Sequence, residues 1–150
     1  MTGTGRGMKG SLKKFRYLEH TADMGLEVAG DSLAELFIHA AAGLREMIFG
    51  EISEHAADRQ EWITVEGEDV EELLVGWLNE LLFLFETRGF VPLTFRMERI
   101  GIGDMSATVY GAAFDENRFP VLREVKAVTY HRLAVKKMKR GWRASLYVDL

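Results

Sequence analysis

The sequence predicts an α+β fold: two helices packed on a mostly antiparallel or mixed β-sheet, in one domain spanning residues 12–150. Three observations predict it. Two segments repeat apolar residues at helical spacing. The chain beyond Pro92 reads as extended to its end. The order is strand, strand, helix, strand, helix and then a strand-rich half, without the regular βα alternation of a doubly wound fold.

The elements follow in order. Residues 1–11 hold four glycines and nothing to bury, which predicts a flexible tail. Phe15 to Leu18 read as a short strand. Met24, Leu26 and Val28 alternate with Gly25 and Glu27, so a second strand follows. Leu33, Leu36, Phe37, Ala40, Ala41, Leu44, Met47 and Ile48 then form a helical stripe. Ser32 with Glu35 is a capping box at its start, and Gly50 is its stop. Trp62, Thr64 and Glu66 alternate with Ile63 and Val65 as a third strand. The second helix carries Val70, Leu73, Leu74, Trp77, Leu78, Leu81, Leu84 and Phe85, with Asp69 as cap, Glu72 three residues on and Gly89 as stop. Val75, Leu82 and Phe83 add apolar surface outside the stripe, which predicts a central helix covered on more than one side. Strands follow over Leu93–Ile100, Ser106–Phe114, Val125–Val135 and Trp142–Val148. The glycines of IGIGD, Gly101 and Gly103, lack a following helix and read as a hairpin turn, not a phosphate cradle.

Composition narrows the chemistry. The 150 residues are 47% hydrophobic and 28% charged, ordinary for one globular domain. A net charge of -4 gives no electrostatic case for wrapping nucleic acid unaided. With no cysteine there is no disulfide, thiolate nucleophile or Cys-ligated zinc, so a bound metal must be held by oxygen or imidazole. The start, MTGTGRGMKGS, has no apolar signal region and no run is long enough to span a membrane, which together predict a cytoplasmic protein.

Several residues each carry two readings. LEHTADMGLEVAGDS packs Glu19, His20, Asp23, Glu27 and Asp31 between strands and a helix. Asp31 is either a helix N-terminal acid or a ligand, Asp23 a turn former or a ligand, and His20 a loop-orienting imidazole or a ligand. Lys126, at the mouth of an apolar strand, is either an edge-strand gatekeeper or a cation offered to phosphate. His131 closes that strand. Lys136, Lys137, Lys139 and Arg140 form a basic turn before Gly141, solvated or touching RNA phosphates. Asp149 lies one residue from the Leu150 α-carboxylate, and two carboxylates that close repel unless a cation or strong donor lies between them. If the fold brings Asp23 alongside, three anionic groups converge as a hard divalent cation requires.

YLEHTADMGLEVAGDSLAELFIHAAAGL, REVKAVTYHRL and the closing YVDL resemble the signature of the archease family, with order and spacing intact over residues 14–150. The resemblance implies a small α+β protein cofactor, not an enzyme, that activates the GTP-dependent tRNA-splicing RNA ligase. It implies faster guanylylation of the ligase's active-site histidine and multiple turnover in tRNA splicing and RNA repair. It implies contact with RNA only through the ligase, and none with a membrane. The resemblance also implies a divalent metal, calcium with magnesium or manganese as options, held by Asp23, Asp149 and the Leu150 carboxylate, and a role in activation for Lys126. Glu19 stands where many members carry Asp, and the N-terminal tail is longer than usual. The alternatives are a metal-binding chaperone or modulator of a tRNA-modifying methyltransferase, and a metal-dependent phosphoesterase working through Asp23 and Asp149.

Overall fold

The computed structural model describes residues 14–19, 23–52 and 56–150. The expected tail over residues 1–11 and His20 lie outside them. The strands are β1 (Phe15–Glu19), β2 (Asp23–Gly30), β3 (Arg59–Glu66), β4 (Phe90–Ile100), β5 (Asp104–Ala113), β6 (Ala127–Lys137) and β7 (Trp142–Asp149). The helices are α1 (Leu33–Phe49) and α2 (Val70–Arg88). The strands divide into two sheets, β1-β2-β7-β6 and β3-β5-β4, and every pairing is antiparallel.

Both helices begin with the same device. The Ser32 hydroxyl accepts from the Glu35 N–H at 3.1 Å, while the Glu35 carboxylate accepts from the Asp31 N–H at 2.7 Å. At α2, Asp69 accepts from the Glu72 N–H at 2.8 Å, and Glu72 accepts from the Glu68 N–H at 2.7 Å. In each case the glutamate reaches one residue beyond the cap itself, so two otherwise orphan amides are satisfied. Gly89 ends α2 in the left-handed conformation, φ 59°, with its N–H on the Phe85 carbonyl at 3.0 Å.

Each helix touches both sheets: α1 packs on β2 and β4, and α2 on β6, β3 and β4. This explains the breadth of their apolar surfaces. Leu73, Leu74, Val75, Trp77, Leu78, Leu81, Leu82 and Leu84 are all buried along α2. Phe83 differs from expectation, because it is 52% exposed on the side turned to solvent. The Trp77 indole N–H donates to the Phe37 carbonyl at 2.9 Å, which fixes one helix against the other inside the core.

β4 begins at Phe90 and includes Pro92 at a register shift. Proline is tolerated there because β4 is the edge of its sheet. Gly101 and Gly103 lie in the β4–β5 hairpin turn, as their spacing predicts, and the Gly101 N–H donates to the Asp104 carbonyl at 3.0 Å. The strand expected over Val125–Val135 is observed over Ala127–Lys137, with its pairing interrupted. β6 starts at Ala127, and its pairing with β7 breaks between Thr129 and Ala134, with Arg132 at φ 57°. The left-handed residue inserts a bulge where Tyr130, His131 and Arg132, all exposed, interrupt the run.

β7 lies between β2 and β6 and sets the two faces of its sheet. Ala144, Leu146 and Val148 face the core with Val28, Leu26 and Met24 opposite them. Arg143, Ser145, Tyr147 and Asp149 alternate onto the other face. There the Tyr147 ring lies over Gly25, where an added Cβ would come within 2.8 Å of the ring and 2.9 Å of the Leu18 Cβ. Elsewhere, replacing a strand glycine by alanine gains chain entropy; here the overlap reverses the sign. Gly25→Ala is expected to destabilise by about 1–3 kcal/mol in denaturant unfolding, with only part of the loss recovered in Gly25→Ala/Tyr147→Ala relative to Tyr147→Ala alone, because the Leu18 Cβ still crowds the site.

Candidate metal and phosphate pole

The rim of the β1-β2-β7-β6 sheet gathers the residues singled out in the sequence. Asp23 opens β2 and Asp149 closes β7, and the antiparallel register sets them directly opposite one another. On the other flank of Asp149 stands Ala127, so Lys126 arrives one residue away. The Lys126 backbone N–H donates to the Asp149 carbonyl at 2.8 Å. Asp149 and Lys126 are exposed, Leu150 is 40% exposed, and Asp23 is partly covered. Asp31 is not part of this group. It stands beyond the far end of β2, beside the start of α1.

Side chains directly opposite on one sheet face stand with Cβ atoms ~5 Å apart, and like charges there repel. Among the described residues no cation makes an ion pair with Asp23 or Asp149. Nor do three or more His, Cys, Asp or Glu side chains converge on one point among the described residues. The pole therefore offers two side-chain carboxylates, with the Leu150 end beside them and an ammonium one residue from the strand pair. All-oxygen donors of this kind fit a hard cation such as calcium, magnesium or manganese and do not suit a soft one.

Two further parts hold Lys126 in place. The loop after β5 runs back over the end of α1. The Leu122 and Arg123 N–H groups donate to the Ile48 carbonyl at 2.7 and 3.2 Å, and the Arg123 guanidinium donates to the Met47 carbonyl at 3.2 Å. α1 has no basic residue in its own last turn, so Arg123 supplies the cation that a helix C-terminus favours. Buried Phe119 and Val125 anchor the same loop in the core. The second part is Asn79 on α2. Its amide donates to the Val128 carbonyl at 3.0 Å and accepts from the Val128 N–H at 2.9 Å. β6 is an edge strand, so Asn79 takes the place of a missing neighbour strand, two residues from Lys126. Sequence reasoning missed Asn79. The available signal was one amide amid the apolar positions of α2, between Leu78 and Leu81.

The other expected residues fall nearby or elsewhere. His131 lies in the bulge of β6, its ring 6.3 Å from that of Tyr147, and the Arg132 guanidinium sits 5.7 Å from the same ring. The basic turn is the β6–β7 hairpin, closed by the Met138 N–H on the Gly141 carbonyl at 2.9 Å.

A family model described as the Archease protein family (MTH1598/TM1083) matches residues 15–150. The chain belongs to the archease family. It is 35% identical over 147 residues to Protein archease of Methanosarcina barkeri, covering 95% of this chain and 100% of that one. It is 38% identical over 140 residues to Protein archease of Archaeoglobus fulgidus, covering 91% and 99%. The solution structure of Methanobacterium thermoautotrophicum Protein 1598 superposes with a TM-score of 0.78 at 29% identity, covering 93% of this chain and 100% of that one. A Thermotoga maritima structure described as an archease, possible chaperone, shares the fold at a TM-score of 0.60 and 23% identity, covering 89% and 94%. The α+β archease fold is thus the fold of this chain. No helix among its described residues is long and apolar enough to cross a membrane.

Asn79→Ala strips both partners from a partly buried backbone amide and carbonyl. It is expected to cost about 2–3 kcal/mol in chemical unfolding and to speed amide hydrogen exchange at Val128 above the change elsewhere in β6.

Proposed function

We propose that this archease is a protein cofactor that activates the GTP-dependent tRNA-splicing RNA ligase, promoting its guanylylation and repeated turnover. The observation that carries the reading is the Asp23–Asp149 cross-strand pair at the sheet rim, with Lys126 held beside it by a backbone hydrogen bond. Family membership supports it in the same direction. In this reading Asp23, Asp149 and the Leu150 carboxylate hold a divalent cation, calcium with magnesium or manganese as options. Such a cation, when bound, offsets negative charge on a triphosphate.

The chain's own residues do the rest. Asp23 and Asp149 present their oxygens on one face because the β2–β7 register leaves them no other. Lys126 offers an ammonium that hydrogen-bonds phosphate oxygens from beside the acids, as a point charge on a flexible stem. The α1 C-terminus and Asn79 hold the backbone on either side of it. Their contribution is preorganisation: the charges stand in place before a nucleotide arrives. Among the described residues of this group no nucleophile has a base beside it, which favours assistance to a partner over independent catalysis.

The deciding experiment adds purified protein, far below the ligase concentration, to the cognate ligase with GTP and metal, and follows covalent guanylate on the ligase. Acceleration is expected, and its absence would sink the reading. The isolated protein is expected not to hydrolyse phosphoesters; turnover would favour the phosphoesterase instead. Asp23→Asn is expected to weaken calcium or manganese binding by calorimetry tenfold or more and to lower guanylylation in parallel, since it removes one anionic ligand. Lys126→Ala is expected to leave unfolding within about 0.5 kcal/mol of the parent and to abolish acceleration. Extending the chain past Leu150, or amidating it, replaces a carboxylate by a neutral group and is expected to lower metal affinity and acceleration together. Tagged and amidated proteins that match the parent would exclude Leu150 from the site.

A further inference from the structure

The open face of the β1-β2-β7-β6 sheet carries its charges in rows. Lys136 stands directly opposite Arg143, and Arg143 opposite Ala29. The Ala29 N–H donates to the Lys14 carbonyl at 3.2 Å, so this row runs Lys136, Arg143, Ala29, Lys14 across all four strands. The next row holds Ala134, Ser145, Glu27 and Arg16, and its two charges cancel in an Arg16–Glu27 ion pair at 2.5 Å. Both rows line one groove of about 640 Å³. Lys14, Lys136 and Arg143 are exposed, and none of them makes an ion pair with an acid among the described residues.

Like charges directly opposite in a sheet weaken it, so Lys136 against Arg143 costs the empty fold stability that a bound anion returns. Several cations set in a line suit an anion that repeats along a chain better than a single phosphate. Planar groups stand on the same face one row further on. The exposed Arg132 guanidinium and His131 imidazole rest by the Tyr147 ring at 5.7 and 6.3 Å, ready for a base to stack on. Beyond them comes the Asp23–Asp149 pair, about 20 Å from Arg143 along β7 at ~3.4 Å per residue. Those carboxylates repel a phosphate chain unless a cation covers them. The -4 net charge of the whole molecule does not oppose this arrangement, because Lys14, Lys136 and Arg143 stand together at the end of the face away from Asp23 and Asp149.

We propose that this groove binds the phosphodiester backbone of a single-stranded polynucleotide, with Lys14, Lys136 and Arg143 on the phosphates and Arg132 and His131 beneath a base. An acidic protein segment would satisfy the cations but leave the stacking groups unused. The proposal goes beyond the ligase reading and does not depend on it, because it concerns the archease alone.

The test measures fluorescence anisotropy of a labelled oligouridylate RNA with the full chain between 25 and 200 mM salt, concentrations on the order of those over which phosphate contacts are lost. Three phosphate contacts predict a slope of log affinity on log salt of about -2 for a single strand. Lys136→Gln/Arg143→Gln is expected to weaken binding tenfold or more at the lowest salt and to flatten the slope to about -0.7. The same variant is expected to unfold no earlier than the parent, since it removes a like-charge pair. Lys136→Arg, which keeps the charge, is expected to bind like the parent. Arg132→Ala is expected to weaken binding while leaving the slope nearly unchanged, because it removes a stacking surface. No RNA binding at 25 mM salt, equal binding by the double glutamine variant, or tighter binding of labelled polyglutamate than of RNA would each overturn the proposal. Guanylylation of the ligase, measured separately, can succeed or fail without altering any of these outcomes.

Discussion

The register of β7 is the constraint on which the rest of this molecule depends. Leu146 against Leu26 and Val148 against Met24 bury one set of side chains, and the pleat then commits Asp149, Tyr147 and Arg143 to the opposite face. A slip of one residue would turn Val148 outward and carry Asp149 into the core. Apolar burial thus fixes where the charges stand, and Asp23 meets Asp149 as a by-product of packing Met24 against Val148. Gly25 reinforces the same register from the other side, because only a residue without a Cβ admits the Tyr147 ring there.

That one face then divides into zones. A basic end, a neutral middle, an aromatic step and an acidic rim follow one another along β7. All four share the backbone of β7 and draw on its two neighbours, β2 and β6. The two helices stay off this face and hold the sheet from behind. Asn79 and the loop that ends at Lys126 extend that support to the rim. Rigid elements position the acids, and the backbone of Lys126 is pinned at the strand's mouth beside them.

Local chemistry made much of this legible in the sequence. Ser32 with Glu35, Asp69 with Glu72, and Gly89 mark helix ends through contacts a few residues long, and the structure places them there. Met24, Leu26 and Val28 declare a strand by alternation alone. Non-local facts were not legible. The split into two sheets rests on which strands find each other, and no single strand's pattern encodes that. Tyr130, His131 and Arg132 interrupt the alternation of β6, but residue type alone does not encode a positive φ at Arg132. Phe83 reads as core by residue type, but its place on α2 faces solvent. Asp23 and Asp149 carried recognisable motifs, whereas the pairing of Lys136 with Arg143 exists only once a register is known.

The break in β6 has a consequence for the order in which the molecule is made. β2 and β6 are strangers to one another until β7 fills the space between them. β2 must therefore wait with one edge open while more than a hundred residues are synthesised, a long-range closure of the kind that slows folding. The β6–β7 hairpin, by contrast, is local in sequence and closes over a short turn, with its bulge adding twist to the ribbon. The rim carboxylates meet only where β7 docks on β2, so their repulsion falls on that long-range closure and on neither local hairpin.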